Sequence, residues 1–281
     1  MIIKKIASIC YIGIVIVGLL CAVKLATMGR PAEQQDVFNN LSLKKSAINL
    51  QAVPEQLKSV HSIVCIGDSI TKNGDDPNSS FTKRLERSLA AILPDQKIVV
   101  INKGVNGENA EDLRRRFQKD AIKSGANLVI IFVGVNDVGH GFEPEHPHGG
   151  GPKGTLLPVY LDNVRAMIKD ARANSQSVLL VTPPTFFEDS GCEPDKMLET
   201  YGVALRKLAG EEKVLLADVR KSFVEMIKAY RDNCKTKDYL LTVDGVHPNS
   251  LGNKVITETI LSTLGISTVS SLEPSTALDH H

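Results

Sequence analysis

Two stretches far apart in the chain hold side chains that could act on a carbonyl carbon. One is Gly67-Asp68-Ser69-Ile70-Thr71 and the other is Asp244-Gly245-Val246-His247-Pro248. A serine hydroxyl is a weak nucleophile until a base takes its proton, and histidine is the side chain best tuned to do so near neutral pH. An aspartate three residues before that histidine could orient the ring and hold the correct tautomer. Each residue also has an ordinary structural use. Ser69 or Asp68 could cap a helix N-terminus, and a lone histidine is often only a satisfied polar residue.

Acyl transfer further needs hydrogen-bond donors aimed at the developing oxyanion. Asn102-Lys103-Gly104-Val105-Asn106-Gly107 could supply the backbone N–H of Gly107, and Gly134-Val135-Asn136-Asp137 could supply the side-chain amide of Asn136. Alone, the first reads as a glycine-containing turn and the second as an Asx turn. Together, a nucleophile, a base, its orienting acid and oxyanion donors form the set required to cleave an ester.

These residues must be carried by elements that bring them to one place. Short, β-branched, continuous apolar runs at Ser62–Ile66, Lys97–Ile101, Leu128–Val133, Ser177–Val181 and Val214–Asp218 read as strands of a parallel sheet covered on both faces. Helical patterns lie between them near 80–93, 109–123, 156–173, 195–209 and 219–230, with a last one near 250–264. That alternation predicts a doubly wound α/β domain. Ligands of such a sheet bind beyond the carboxyl ends of its strands, which is where the chemical residues fall.

The blocks IGDSIT, NKGVNGENAEDL, VGVNDV and VDGVHPNSLGN resemble, in order, the four blocks of the SGNH (GDSL-type) hydrolase family. The resemblance spans about residues 61–265. It implies a flavodoxin-like, three-layer α/β/α sandwich with five parallel strands. It also implies a serine esterase with Ser69 as nucleophile, His247 as base, Asp244 as its partner, and an oxyanion hole from Ser69, Gly107 and Asn136. No metal or organic cofactor is implied. Ile70 stands where the family name has leucine, an apolar exchange. The expected substrate is a carboxylic ester of a small acyl group, on a small molecule, a carbohydrate (O-acetyl foremost) or a lipid. Two alternatives remain: an acyltransferase with the same triad, and an inactive binding protein on the same fold.

Composition sharpens the setting. The 281 residues are 42% hydrophobic and carry net charge +1, which excludes a disordered chain and gives no electrostatic footprint for nucleic acid. The charge is unevenly spread. Residues 1–30 hold Lys4, Lys5, Lys24 and Arg30 and no acid, so they carry +4 and the remainder −3. Within them Ile6–Val23 is an uncharged apolar run nearly long enough to span a bilayer. The expected organisation is a signal anchor or signal peptide over 1–30, a tether over 31–60, the catalytic domain over 61–265 and a flexible tail over 266–281. The lysine pair places the domain on the extracytoplasmic side, membrane-anchored or secreted.

Residues 139–158 are rich in Gly, Pro and His and follow the Asn136 block, so a lid or specificity loop is expected there. His140, His146 and His148 lack the spacing of a closed metal site. Phe186 and Phe187 could line a pocket or only pack. Cys192 and Cys234 could pair in an oxidising compartment or stay free. With 8 Phe, 5 Tyr and no Trp, an extended sugar-stacking groove is not expected.

Overall fold

The computed structural model describes residues 53–72, 80–142, 154–234 and 238–266. The apolar run Ile6–Val23 and its predicted helix, residues 31–52 of the tether, His146, His148 and the tail beyond Ile266 lie outside them. The last tether residues pack onto the domain instead, with Leu57 and Val60 buried in the core. No helix among the described residues is long and apolar enough to cross a membrane.

Five parallel strands form one sheet: β1 (Ser62–Gly67), β2 (Val99–Gly104), β3 (Leu128–Phe132), β4 (Ser177–Val181) and β5 (Leu215–Ala217), in the order β2-β1-β3-β4-β5. Every residue of β3 is buried, and so is all of β1 after Ser62, as continuous apolar runs require. The edge strand β2 is exposed or half-buried along its length except at Val100.

The helices are α1 (Ser69–Lys72), α2 (Phe81–Ile92), α3 (Ala110–Asp120), α4 (Val135–Gly139), α5 (Leu157–Ala173), α6 (Glu193–Glu212), α7 (Val219–Cys234) and α8 (Ser250–Thr263). One layer packs α8 against α2 and α7, and the other packs α5 against α3 and α6. The result is the expected three-layer α/β/α sandwich. Helix starts follow side-chain capping. Ser80 accepts the Lys83 N–H at 3.2 Å, Asn109 forms a capping box with Asp112, and Asn249 accepts the Leu251 and Gly252 N–H groups.

The register aligns the strand ends that matter. Gly67 at the end of β1 pairs with Gly104 of β2 and Phe132 of β3, and Phe132 pairs with Val181 of β4. The strand order reverses between β1 and β3, so the chain leaves these neighbours in opposite directions and a crevice opens there.

Only β4 keeps both predicted ends; β1 runs one residue further, to Gly67, and β3 stops one residue short, at Phe132, while β2 and β5 differ at both ends. β2 begins at Val99 rather than Lys97, because Lys97 is left-handed (φ 48°) after a 3₁₀ turn at Pro94–Gln96. It runs on to Gly104 because Asn102, a residue that discourages a strand reading, donates its amide to the Thr71 carbonyl at 2.7 Å. β5 is trimmed at both ends of the predicted 214–218. Cys65, Cys192 and Cys234 are free thiols.

Candidate active site

The serine sits where β1 ends and α1 begins. Gly67 is required there, since a Cβ on it would lie 2.2 Å from Thr71 Oγ1 and 2.3 Å from the Phe132 carbonyl. A Cβ on Gly104 would lie 2.0 Å from the Lys72 nitrogen. Two glycines side by side on β1 and β2 thus let the first helical turn settle on the strand ends. Asp68, buried beside the serine, accepts the Ile70 N–H at 2.8 Å and tightens this turn.

Ser69 Oγ lies 2.9 Å from His247 Nε2, across 178 residues of chain. His247 Nδ1 lies 2.7 Å from Asp244 Oδ2. The other oxygen, Asp244 Oδ1, accepts the backbone N–H groups of Val246 and His247 at 2.9 and 2.7 Å. Burial pushes the Asp244 carboxyl up, but the His247 ring, these amides and the imidazole charge outweigh it and hold the carboxyl below its usual range. An ionised carboxylate only accepts, so the proton of the pair sits on Nδ1. Nε2 then offers its lone pair to the serine hydroxyl. The Asp244 hydrogen bond raises His247 above the ordinary histidine value; burial opposes this, and the charges of Asp244 and Asp68 add to the rise.

The oxyanion side is built from the next two strand ends. Gly107 is left-handed (φ 76°) with nothing within 4 Å of where a Cβ would stand, so conformation rather than space calls for glycine. Asn136, in the short helix α4, donates one amide hydrogen to the Glu108 carbonyl at 2.9 Å, which seats it beside Gly107. Buried Asp137 takes the Ala110 N–H on both oxygens at 3.2 Å and ties this turn to the start of α3. Burial raises both Asp68 and Asp137 to about 7, against the amide hydrogen bonds each accepts.

Ser69, His247, Asp244, Gly107 and Asn136 are therefore on one rim, with the first three in a continuous hydrogen-bonded chain. Sequence reading missed Arg116. Its Nη2 donates to the Gly67 carbonyl at 3.0 Å and Nη1 to the Lys103 carbonyl at 2.8 Å, while Nε pairs with Glu108 at 2.5 Å. One guanidinium thus brackets the serine turn and the Gly107 loop, using several of its fixed donors. Of the two phenylalanines, Phe186 is core and Phe187 is 43% exposed. Among the described residues no cluster of His, Cys, Asp and Glu could hold a metal ion.

The model of the GDSL-like lipase/acylhydrolase family matches residues 65–255. The chain belongs to this family. Its relatives are esterases, and this GDSL-like acylhydrolase is a carboxylic ester hydrolase. It is 27% identical over 229 residues to an acetylxylan esterase of Geobacillus stearothermophilus, covering 77% of this chain and 99% of the relative. It is 24% identical over 216 residues to an isoamyl acetate-hydrolyzing esterase of Saccharomyces cerevisiae, covering 70% and 83%. An arylesterase of Vibrio mimicus is 23% identical over 197 residues, covering 68% and 85%. The fold is shared with a solved acetyl xylan esterase from Geobacillus stearothermophilus, with TM-score 0.65, 24% identity and coverage of 74% and 96%.

Proposed function

We propose that this acylhydrolase removes small acyl groups, acetyl foremost, from a carbohydrate or small alcohol through an acyl-enzyme on Ser69. The observation that carries the proposal is the unbroken chain from Ser69 Oγ to His247 Nε2 and from His247 Nδ1 to Asp244 Oδ2. The names of two relatives, an acetylxylan esterase and an isoamyl acetate-hydrolyzing esterase, support acetyl as the acyl group.

In the proposed mechanism His247 Nε2 takes the serine proton as Oγ attacks the ester carbonyl. Negative charge gathers on the carbonyl oxygen, facing the backbone N–H groups of Ser69 and Gly107 and the second amide hydrogen of Asn136. The imidazolium, stabilised by Asp244, returns its proton to the departing alcohol. Water then repeats the sequence on the acyl-enzyme with the same base.

Asn136→Ala is expected to lower kcat by about 10²–10³-fold, the cost of one oxyanion donor. Michaelis kinetics on an activated acetate ester check this, and a variant within threefold or so of wild type would remove Asn136 from the hole.

The pH dependence follows from the direction of the His247 shift. The base must be neutral to accept a proton, and its pKa is raised, so activity is lost as pH falls through that raised value. The acid limb of kcat/KM is expected above the ordinary histidine value of about 6.5. A profile whose acid limb falls at or below that value would contradict it.

The substrate class is tested by comparing acetyl with longer acyl esters, then acetylated with deacetylated xylooligosaccharides. Preference for acetyl, with release of acetate from the sugar, is the expected result. Adding a free acceptor sugar should leave water as the main acyl acceptor; transfer of most acyl groups to the sugar would make the chain an acyltransferase. The extracytoplasmic setting is part of the proposal and rests on the apolar run Ile6–Val23 and the lysines before it.

A further inference from the structure

Asp244 and His247 stand on a loop with their side chains about half exposed (51% and 44%), so the surrounding packing does little to hold them. Their backbone has to be fixed from below. The loop turns on itself: the Val243 N–H donates to the His247 carbonyl at 2.9 Å, and the Asn249 N–H to Leu241 at 2.9 Å. Its base is held by one side chain from another part of the chain. Glu188, 2% exposed, lies in the segment that follows β4. Its Oε2 accepts the Leu240 N–H at 2.8 Å. Its Oε1 accepts the Leu241 N–H at 2.7 Å, the Thr242 N–H at 2.8 Å and the Thr242 hydroxyl at 2.8 Å.

The backbone around this glutamate is strained to present it. Phe187 and Glu188 are consecutive non-glycine residues in the left-handed region, at φ 53° and 48°. Such strain persists only where the surroundings over-determine it, and it clusters at functional sites. Here it sends Glu188 inward and Phe187 outward. The Phe187 N–H donates to the Gly245 carbonyl at 2.7 Å, between the two exposed residues and next to Asp244. Gly245 is itself left-handed (φ 92°), and a Cβ there would stand 2.6 Å from Phe187 Cδ1. The β4 segment therefore grips the loop at its base through a carboxylate and near its tip through an amide.

We propose that Glu188 is a positioning residue for the Asp244–His247 pair, setting the height and direction of the imidazole toward Ser69. The role rests on the triad reading above. A carboxylate is the fitting group, because it accepts on both oxygens without offering a donor to three backbone N–H groups. Glutamine keeps the size but turns an NH₂ toward an N–H.

The test is Glu188→Gln in the full chain, with His247→Ala in parallel. Displacing a catalytic group by even about 1 Å costs up to about 10²-fold, so kcat should fall about tenfold or more, with KM within about twofold. The low-field proton resonance of the His247 ring N–H should shift or broaden, a change that loosening elsewhere in the fold would not produce. A folded Glu188→Gln protein with wild-type kcat and an unmoved resonance overturns the proposal. Should that variant not fold, Thr242→Val, which deletes only the hydroxyl contact, decides. A lowered kcat with a moved resonance supports the role, and wild-type behaviour in both overturns it. If His247→Ala keeps its activity the triad reading itself fails; if it is inactive while Glu188→Gln is normal, only the Glu188 role fails.

Discussion

Ser69→Ala is expected to lower kcat by about a million-fold, the scale on which serine hydrolases lose rate when the nucleophile is removed. The Ser69 hydroxyl is hydrogen-bonded to His247 Nε2 at 2.9 Å. In the proposed mechanism its loss removes the group that bonds to the acyl carbon, and the neighbouring Asp68 is engaged with the Ile70 amide. The fold should be unaffected, because the β1–α1 turn depends on Gly67 and Asp68 rather than on the serine hydroxyl. Binding should persist, so the variant would retain substrate at close to the wild-type dissociation constant while failing to release acid. The residual rate should be about 10³–10⁴-fold above the uncatalysed rate, carried by the oxyanion donors and substrate binding alone. Steady-state hydrolysis, together with thermal unfolding to show an intact fold, checks both halves. Near-normal turnover by the folded variant would reject Ser69 as nucleophile.

Asp244→Asn is expected to cost about 10⁴-fold in kcat with little change in stability. Asparagine fits the same space and can still accept the Val246 and His247 amides through its oxygen. Its NH₂ would then face Nδ1, so the favourable arrangement places the ring proton on Nε2, the atom that must receive the serine proton. The wrong tautomer, rather than a lost contact, stops the reaction. A second consequence separates tautomer from simple weakening. The Asp244 hydrogen bond is the leading cause of the raised His247 pKa, so the remaining activity should titrate at lower pH than wild type. Retention of both rate and acid limb would mean that another group orients the imidazole.

Much of the fold, and of the placement of these residues on one rim, is legible in the sequence, and the reason is local. Ser69, Gly107, Asn136 and His247 sit in short blocks where residue type, glycine placement and a preceding apolar strand appear together. The buried runs of β1 and β3 declare themselves by continuity. What escaped is chemistry between a side chain and a distant backbone. Arg116 reads as one more charge on an amphipathic helix, yet it holds the Gly67 carbonyl 49 residues earlier. Glu188 reads as a loop acid, yet it takes three amides 52 to 54 residues later. Most of these partners are backbone groups, which no residue type marks, and the side-chain contact of Glu188, from the Thr242 hydroxyl, joins residue types common in any loop. Phe186 and Phe187 were indistinguishable for a related reason. The left-handed turn at Phe187 separates a core ring from an exposed one, and no residue type at that position announces it. Asn102 hid the end of β2 because its strand conformation depends on a carbonyl from α1.

The central claim is that Ser69 is the nucleophile made reactive by His247. Its most direct test is covalent labelling of the active enzyme with an organophosphonate serine probe, followed by peptide mass analysis. One adduct per chain on Ser69 is predicted, with hydrolysis lost in step with labelling and labelling abolished in His247→Ala. An enzyme that loses activity with the adduct on another residue, or labels Ser69 equally well without His247, would contradict it.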